Sequence, residues 1–290
     1  MSHSLPADAA IAFQGHRGAY SHLACQKVFP DHAVQPCTSF IDAMRAVENG
    51  MAARAMIPLE NSTAGRVEEI YRLIPELKLH LVGEHFEPVD HCLMARPGTR
   101  IDDLKTVASH PQALAQCARH IESLGLNAEA MLDTAGAALA VSEGTDPTRG
   151  AIASRLAAEL YGLEILDDQF QDVKGNTTRF IILSGTEILP EFRADQAYIT
   201  SIVFRVRNIP AALYKALGGF ATNGVNMVKL ESYILGSSLS ASQFHVDIEG
   251  HVDQRPLQLA LEELQFFAED LRILGTYEAH PFRASRQFRD

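Results

Sequence analysis

Apolar and polar residues form two different periodic patterns along the first part of the chain. Short apolar runs such as 11–13 and 106–108 lead into polar turns, and the turns lead into stretches where apolar residues return every three or four positions. The first pattern is typical of buried strands and the second of helices with one buried face. Strands that alternate with helices of this length predict an α/β protein with mainly parallel sheets.

The individual strands and helices are predicted from these patterns and from the residues that typically begin and end helices. We predict strands at 11–13, 34–37, 54–59, 79–86, 89–95, 106–108, 151–154 and 180–183. We predict helices that begin at Ser21, at Ser39, at Ser62 or Thr63, at Ser109, at Asp133 or Thr134, and at Arg155. Glycines at positions 50, 125, 144 and 162 are suited to end four of these helices.

The pattern changes after a charged, proline-containing stretch near residue 190. Beyond it, alternating Ile202, Phe204 and Val206 predict a strand, and a βαββαβ order continues through strands at 228–235 and 244–248. This is a ferredoxin-like layout, which says nothing about function by itself. We therefore expect one domain over 9–186, a linker over 187–197 and a second domain over 198–280.

Three polar segments at the ends of predicted strands are candidates for a ligand site. They are 56–66, 109–116 and 175–180, and they carry hydroxyl, amide and guanidinium groups. Such segments bind ligands in α/β proteins, and free N–H groups at helix starts attract anions. The alternative is a purely local role, in which Asn, Ser and Thr side chains cap helices or bond to their own turns.

Composition narrows the choice of function. The 290 residues are 47% hydrophobic and carry a formal charge of -11, which supports a folded enzyme-sized protein and argues against nucleic-acid or anionic-membrane partners. No apolar run approaches the ~20 residues that span a bilayer, and the first residues lack a signal-peptide pattern. Four scattered cysteines and no clustered histidines favour free thiols, no metal site and a cytoplasmic location.

Four motifs in a fixed order resemble those of prephenate dehydratase. They are GlyHisArgGlyAlaTyrSer at 15–21, GluAsnSer at 60–62, SerHisProGlnAlaLeuAlaGln at 109–116 and ThrArgPhe at 178–180. The resemblance implies a two-lobed catalytic part similar to a type II periplasmic solute-binding fold, with the ligand in the cleft and residues near 90–175 in one lobe. It extends to the region 199–278, which resembles the ACT regulatory domain.

The resemblance implies conversion of prephenate to phenylpyruvate in phenylalanine biosynthesis, with loss of carbon dioxide and water and without a metal or organic cofactor. It places Thr178 against the departing ring hydroxyl. The substrate-binding residues that it implies are Glu60, Asn61, Ser62, Ser109, Gln116, Thr177, Arg179 and Phe180. For Arg179, pairing with a substrate carboxylate and a salt bridge to Glu60 are both open.

The ACT resemblance implies phenylalanine as an inhibiting effector and a homodimer or homotetramer. Two motifs depart from the family pattern: ProAlaAlaLeu at 210–213 replaces ProGlyAlaLeu, and GluSerTyrIle at 231–234 replaces GluSerArgPro. A methyl group then stands where glycine leaves room, and a charged partner is lost. The effector-site residues that the resemblance implies are Ala211, Ala212, Leu213, Asn223, Val225, Asn226, Glu231 and Ser232.

Two other functions remain open at this point. The substrate could be arogenate, the amino analogue of prephenate, which would give phenylalanine directly. Alternatively, a solute-binding cleft joined to a ligand-binding module could be a sensor without catalysis, because one fold hosts many functions. Assays on both compounds separate these possibilities.

Overall fold

The structure, a computed structural model, describes residues 5–6, 9–207, 209–234 and 241–285. The strands are β1 (Ala10–Gln14), β2 (Ala33–Cys37), β3 (Arg54–Asn61), β4 (Gly65–Arg66), β5 (His80–Pro88), β6 (Cys92–Ala95), β7 (Thr106–Ser109), β8 (Asn127–Ala130), β9 (Arg149–Ala153), β10 (Glu164–Asp167), β11 (Thr177–Ser184), β12 (Tyr198–Val206), β13 (Met227–Ile234), β14 (Ala241–Glu249) and β15 (Ala268–Glu278). The helices are α1 (Tyr20–Val28), α2 (Phe40–Glu48), α3 (Glu68–Glu76), α4 (Pro111–Gln116), α5 (Ala118–Ser123), α6 (Thr134–Glu143), α7 (Arg155–Tyr161), α8 (Ala212–Thr222) and α9 (Arg255–Phe267).

The first sheet has the strand order β2-β1-β3-β11-β5, with the short strand β4 paired to β3. β1 runs parallel to β2 and to β3, so the polar turns after β1 and β3 leave the same edge of the sheet. β11 begins at that edge as well, because the backbone N–H of Ser62 donates to the carbonyl oxygen of Thr177 over 2.9 Å. Two of the three polar segments singled out from the sequence, 56–66 and 175–180, therefore lie close together, beside the glycine turn after β1.

The second sheet has the order β10-β6-β9-β7-β8. β7 is parallel to β8 and β9, whereas β6 is antiparallel to β9 and β10. Its core includes Leu93, Val107, Ile152 and Phe170. The two mixed sheets are the cores of two lobes, and the predicted two-lobed α/β fold is confirmed.

Two details of helix formation differ from the sequence-based expectation. The helix expected to begin at Ser62 or Thr63 begins at Glu68, because residues up to Arg66 form a hairpin in which Glu60 pairs with Arg66. The helix expected to begin at Ser109 and to end at Gly125 is divided in two at Cys117, and its first turn is capped by His110. Long-range pairing and side-chain geometry decide both cases, and neither is visible in a local pattern.

The glycine turn after β1 joins the first lobe to helix α7 of the second. Gly18 has a φ of 91°, and a Cβ there would lie 2.8 Å from the Cα of Ala157. The Ser154 hydroxyl donates to the Gly18 carbonyl oxygen over 2.5 Å, and the Tyr161 hydroxyl donates to the Arg17 carbonyl oxygen over 2.6 Å. The turn needs glycine because helix and turn are in direct backbone contact.

The third sheet has the order β13-β14-β12-β15 and is antiparallel throughout. With α8 and α9 it forms the predicted βαββαβ ferredoxin-like domain, which is confirmed; Leu235, the last residue of the strand expected over 228–235, lies outside the described residues. Phe204, Phe220, Val246 and Leu264 are central to its core.

By their contacts, the residues group into two compact units. One consists mainly of 6–67 and 85–180, and the other contains 68–84 together with the chain from Ile181 onward. Within the second unit, the Arg272 guanidinium donates to the carbonyl oxygens of Leu77 and Leu79 over 2.8 and 2.7 Å. A Cβ on Gly275 would collide with the Leu81 carbonyl oxygen. Strand β15 is therefore in backbone contact with the segment 77–81.

In the part of the chain that the structure describes, no helix combines the length and the hydropathy needed to cross a membrane.

Candidate active site

Asn61 closes strand β3 and is held in one orientation by its own turn. Its Oδ1 accepts hydrogen bonds from the backbone N–H groups of Thr63 and Ala64, both over 3.0 Å, and from the Thr63 hydroxyl over 2.8 Å. An amide oxygen that serves three donors fixes the other end of the side chain. The Nδ2 group of Asn61 therefore points away from the turn.

That Nδ2 group donates to the Thr178 hydroxyl oxygen over 2.9 Å. Thr178 is the second residue of β11, so the two ends of neighbouring segments bring the amide and the hydroxyl together. Because the oxygen of Thr178 accepts from Asn61, its own hydrogen remains available to another acceptor. The site thus presents a hydroxyl donor whose position is set by a rigid turn.

Gln116 reaches the same place from the second lobe. Its Nε2 donates to the Thr63 hydroxyl over 2.7 Å, and its Oε1 accepts from Asn176 Nδ2 over 3.1 Å. The Oε1 also accepts from His91 Nε2 over 2.8 Å. A continuous series of hydrogen bonds therefore runs from Thr178 through Asn61, Thr63 and Gln116 to His91.

His91 is a neutral member of this network. It is 2% exposed, and burial lowers its pKa. Its Nδ1 lies 2.9 Å from the Tyr20 hydroxyl, whose pKa burial raises well above its usual range. A neutral imidazole that donates from Nε2 to Gln116 keeps an acceptor at Nδ1. The Tyr20 hydroxyl therefore faces two acceptors, His91 Nδ1 and the Asp90 carbonyl oxygen, to which it donates over 2.7 Å.

These groups line a cavity of about 180 Å³. Its apolar lining residues are Ala19, Pro58, Val89, Ala113 and Phe180. Its polar lining residues are Gln14, Tyr20, Ser21, Asn61, His91, His110, Gln112, Gln116, Asp133, Thr134, Asn176 and Thr178. A partly apolar cavity with converging polar groups is the usual form of a small-molecule site.

Four residues predicted from the sequence line this cavity: Asn61, Gln116, Thr178 and Phe180. The catalytic and binding roles given to them stay predictions. Phe180 is 1% exposed, which fits core packing beside the cavity.

The other predicted substrate-binding residues are outside the lining. Arg179 is 3% exposed and pairs with Glu60 over 3.0 Å, which is the salt bridge that the sequence left open. Strand residues alternate between faces, so Arg179 lies opposite Thr178 and Phe180. Ser109 is fully buried and donates to the Ile152 carbonyl oxygen over 2.6 Å.

Ser62 and Thr177 make hydrogen bonds that hold the start of β11 in place. The backbone N–H of Thr177 donates to the Ser62 hydroxyl oxygen over 3.0 Å, so Ser62 bonds to β11 and caps no helix. The Thr177 hydroxyl donates to the Gly175 carbonyl oxygen over 3.3 Å. Both contacts fix the strand that carries Thr178.

Asp133 closes the far side of the cavity. Of the two predicted caps, Asp133 and Thr134, it is Asp133 that caps α6: its Oδ1 accepts from the Gly136 backbone N–H over 2.7 Å. Its Oδ2 accepts from His16 Nδ1 over 2.6 Å. Nearby, His110 Nδ1 accepts from the Gln112 backbone N–H, and burial lowers the pKa of His110 although Asp133 acts in the opposite sense.

Sequence reasoning did not select His91, Tyr20, Thr63, Asn176 or Asp133 as site residues. Thr63 and Asn176 lie inside the polar segments 56–66 and 175–180, so the sequence already marked their surroundings as a candidate site. His91 had only a weak signal, a polar residue directly before the buried strand Cys92–Ala95. Its importance follows from contacts with residues 25 and 71 positions away.

Comparison with known proteins identifies the family of the chain. Residues 11–187 match the family model described as prephenate dehydratase. A bifunctional N-acyl-homoserine lactone acylase/prephenate dehydratase of Komagataeibacter europaeus is 50% identical over 94% of this chain and 97% of its own length. Arogenate dehydratase 2 of Petunia hybrida is 41% identical over 92% of this chain and 71% of its own.

A solved structure extends the comparison to the fold. Prephenate dehydratase from Arthrobacter aurescens in complex with L-Phe superposes with a TM-score of 0.86 at 30% identity, covering 93% of this chain and 90% of that one. The fold is that of a dehydratase enzyme. The chain belongs to the prephenate dehydratase family.

Proposed function

We propose that this chain converts prephenate to phenylpyruvate in the biosynthesis of phenylalanine. In that reaction the bond to the ring carboxylate breaks and releases carbon dioxide, and its electron pair enters the ring. The ring hydroxyl leaves with a proton as water. The ring becomes aromatic, and this drives the reaction. Hydroxide is a poor leaving group, so the departure of the ring hydroxyl is the step that requires catalysis.

The observation that carries the proposal is the hydroxyl of Thr178. Its oxygen accepts from Asn61, so its hydrogen can be donated to the departing oxygen of the substrate. A threonine hydroxyl is a weak acid, and we assign it hydrogen-bond stabilisation of the leaving oxygen. A single well-placed donor of this kind accounts for about 100- to 1000-fold in rate.

The apolar part of the cavity favours loss of the ring carboxylate as carbon dioxide. Val89, Pro58 and Phe180 offer the ring carboxylate little solvation. A carboxylate becomes neutral as carbon dioxide forms, so an environment that stabilises its charge poorly favours the product. Neutral donors such as Ser21 and Gln112 are then available to the side-chain carboxylate.

Ultraviolet detection of phenylpyruvate tests the proposal. Purified protein should produce it from prephenate, and Thr178→Val should lower the rate about 100- to 1000-fold without changing the unfolding temperature. Thr148→Val, a matched change at a partly buried loop position outside the cavity, should leave the rate unchanged. If prephenate disappears no faster with the protein than without it, the chain is a binding protein and the proposal is wrong.

We also propose that residues 9–186 carry catalysis and that residues 198–280 form an ACT regulatory domain that binds phenylalanine, joined by the linker 187–197. The related structure with bound L-Phe supports this proposal. The residues expected at the effector site fall into separate groups. Ala211, Ala212 and Leu213 are at the start of α8, whereas Asn223, Val225 and Asn226 follow its end.

The 11 residues of α8 separate those groups by about 16 Å, more than one phenylalanine can bridge. Glu231 and Ser232 lie on β13, an edge strand of the third sheet. Exposed edges pair readily with a second copy. We therefore propose a homodimer or homotetramer in which the effector binds between copies.

Light scattering and isothermal titration test this regulation separately from catalysis. We expect a mass of two or four chains and heat on adding phenylalanine. A monomer that takes up no phenylalanine would contradict the regulatory proposal and leave the catalytic one standing.

A further inference from the structure

Asn61 gives the hydrogen-bond network of the cavity a fixed direction. Its Oδ1 accepts from the backbone N–H groups of Thr63 and Ala64, and a backbone N–H group can only donate. The Thr63 hydroxyl lies 2.8 Å from the same oxygen and must therefore donate to it. The hydroxyl oxygen of Thr63 is then left as an acceptor.

This direction passes from Thr63 to Gln116. The amide nitrogen of Gln116 is 2.7 Å from the Thr63 hydroxyl oxygen and donates to it. The amide oxygen must then face the other way, where it accepts from Asn176 Nδ2 over 3.1 Å and from His91 Nε2 over 2.8 Å. A neutral His91 can donate there only when Nε2 carries the hydrogen, so the network requires one tautomer of this histidine.

The surroundings of His91 fit that tautomer. The ring is 2% exposed, and burial lowers its pKa, so it is neutral near pH 7. Its Nδ1 is then an acceptor, and the Tyr20 hydroxyl, a donor, lies 2.9 Å away. The backbone N–H of His91 donates to Gln171 Oε1 over 2.9 Å, which fixes the residue itself.

One N–H of Gln116 remains for a ligand. Within the residues that the structure describes, its Nε2 makes one hydrogen bond, to Thr63, although an amide nitrogen has two hydrogens. Gln116 lines the cavity, and neither lysine nor arginine belongs to the described lining, so an anionic substrate depends on neutral donors. An amide N–H attracts a carboxylate, whereas an amide oxygen repels it.

We propose that His91 is a positioning residue that makes Gln116 a hydrogen-bond donor to a carboxylate of the substrate. Its Nε2–H holds the amide oxygen of Gln116, and the amide nitrogen keeps an N–H for the ligand. The inference rests on the proposed function, because it assigns a recognition role in the prephenate cavity. His91 acts through Gln116, so its effect belongs to binding and not to the bond-breaking steps.

Nitrogen-15 NMR of histidine-labelled protein tests the tautomer without any ligand. The signals of His91 are those that disappear in His91→Gln. We expect Nε2 to carry the hydrogen and Nδ1 to carry none at about pH 8, where histidines are neutral. A hydrogen on Nδ1 would overturn the inference, because Gln116 would then have to turn its amide nitrogen towards His91.

Steady-state kinetics with prephenate test the role. His91→Leu removes the donor, and we expect KM to rise about 10- to 100-fold with little change in kcat, the range for a hydrogen bond to a charged group. His91→Gln keeps an amide N–H that can reach Gln116, and KM should stay within about 3-fold of the wild-type value.

His32→Leu is the matched control for these kinetics. His32 is partly buried and lies outside the cavity lining. Neither of its ring nitrogens has a hydrogen-bond partner among the described residues, so the same substitution removes no hydrogen bond there. It should change neither kcat nor KM.

A double-mutant cycle shows whether His91 acts through Gln116. In a Gln116→Ala background, His91→Leu should have no further effect on KM, because the amide that it orients is gone. Two additive losses, or an unchanged KM in His91→Leu alone, would reduce His91 to a structural residue and overturn the inference. A wild-type protein that leaves prephenate unconsumed while Nε2 carries the hydrogen would refute the proposed function and not the orientation of the amide.

Discussion

The amide nitrogen of Asn61 lies 2.9 Å from the hydroxyl oxygen of Thr178, a residue 117 positions later in the chain. The amide is oriented by a turn, since its oxygen is bound by Thr63 and Ala64. The direction of the threonine hydrogen is therefore set by a residue that need not touch the substrate. This arrangement places a hydrogen-bond donor in the cavity before any ligand arrives.

Asn61→Asp should reverse this hydrogen bond. Aspartate keeps one oxygen for the turn, but its second oxygen would accept the Thr178 hydrogen that the proposed reaction needs. We expect kcat for prephenate to fall about 100- to 1000-fold with little change in unfolding temperature. Steady-state kinetics at pH 8 measure the effect.

Asn127→Asp provides the control, because Asn127 is exposed on β8 and donates to the Lys105 carbonyl oxygen over 3.3 Å. It adds the same charge outside the cavity. Equal activity of Asn61→Asp and the wild type would show that the donor orientation is unimportant.

Glu60→Gln should affect stability more than substrate binding. Arg179 is 3% exposed, and the change removes the charge that faces it over 3.0 Å. Since the Glu60 side chain is 29% exposed, the loss should be about 1–3 kcal/mol, below that of a fully buried pair. Urea unfolding measures it, with the exposed Glu159→Gln as control. A KM raised more than about 10-fold at unchanged stability would instead place Arg179 within reach of the substrate.

Acid should weaken the fold before the carboxylates titrate. Burial lowers the pKa of His22 and His91 in the folded chain, whereas the unfolded chain takes up protons below about pH 6.5. The unfolded state then binds more protons, so the free energy of unfolding falls as pH drops from about 7 towards the lowered values. His91→Gln should show a smaller loss between pH 7.5 and 5.5 in urea unfolding. Identical slopes would contradict a neutral, buried His91.

Ala211→Gly should stabilise the ferredoxin-like domain. Ala211 has a φ of 60° at the start of α8, a region that favours glycine. The gain should be up to about 1 kcal/mol, because relief of strain exceeds the added freedom of the unfolded chain. Ala221→Gly, within α8, should cost about 0.5–1 kcal/mol. Calorimetry of both variants checks the sign, and a lower unfolding temperature for Ala211→Gly would refute the strain.

Local patterns in the sequence were enough for most elements. Ser39 caps α2 by accepting from the Asp42 N–H, and Gly162 ends α7 in the left-handed conformation. These features depend on neighbours within one turn of helix, which a sequence displays directly. The alternation of Ile202, Phe204 and Val206 likewise predicted β12, although nearly every residue of that strand is buried.

The parts that sequence did not reveal depend on distant contacts. The hairpin Glu60–Arg66 forms where a helix start was expected, because Ser62 is bound to Thr177 and not to the next turn. From the sequence, Arg179 could pair either with a ligand carboxylate or with Glu60. Only the fold shows that Glu60 is within reach. His91 belongs to no motif, and its role arises from Tyr20 and Gln116, which come from other segments.

The hydrogen bonds from Arg272 to the carbonyl oxygens of Leu77 and Leu79 limit where the chain can be truncated. Those carbonyls belong to the stretch that follows the Asn61 turn, yet their partners come almost two hundred residues later. A fragment that stops at position 187, where the family match ends, would leave this backbone and the buried Leu81 facing water. We expect such a fragment to be insoluble on expression, because the C-terminal region also covers the segment 77–81.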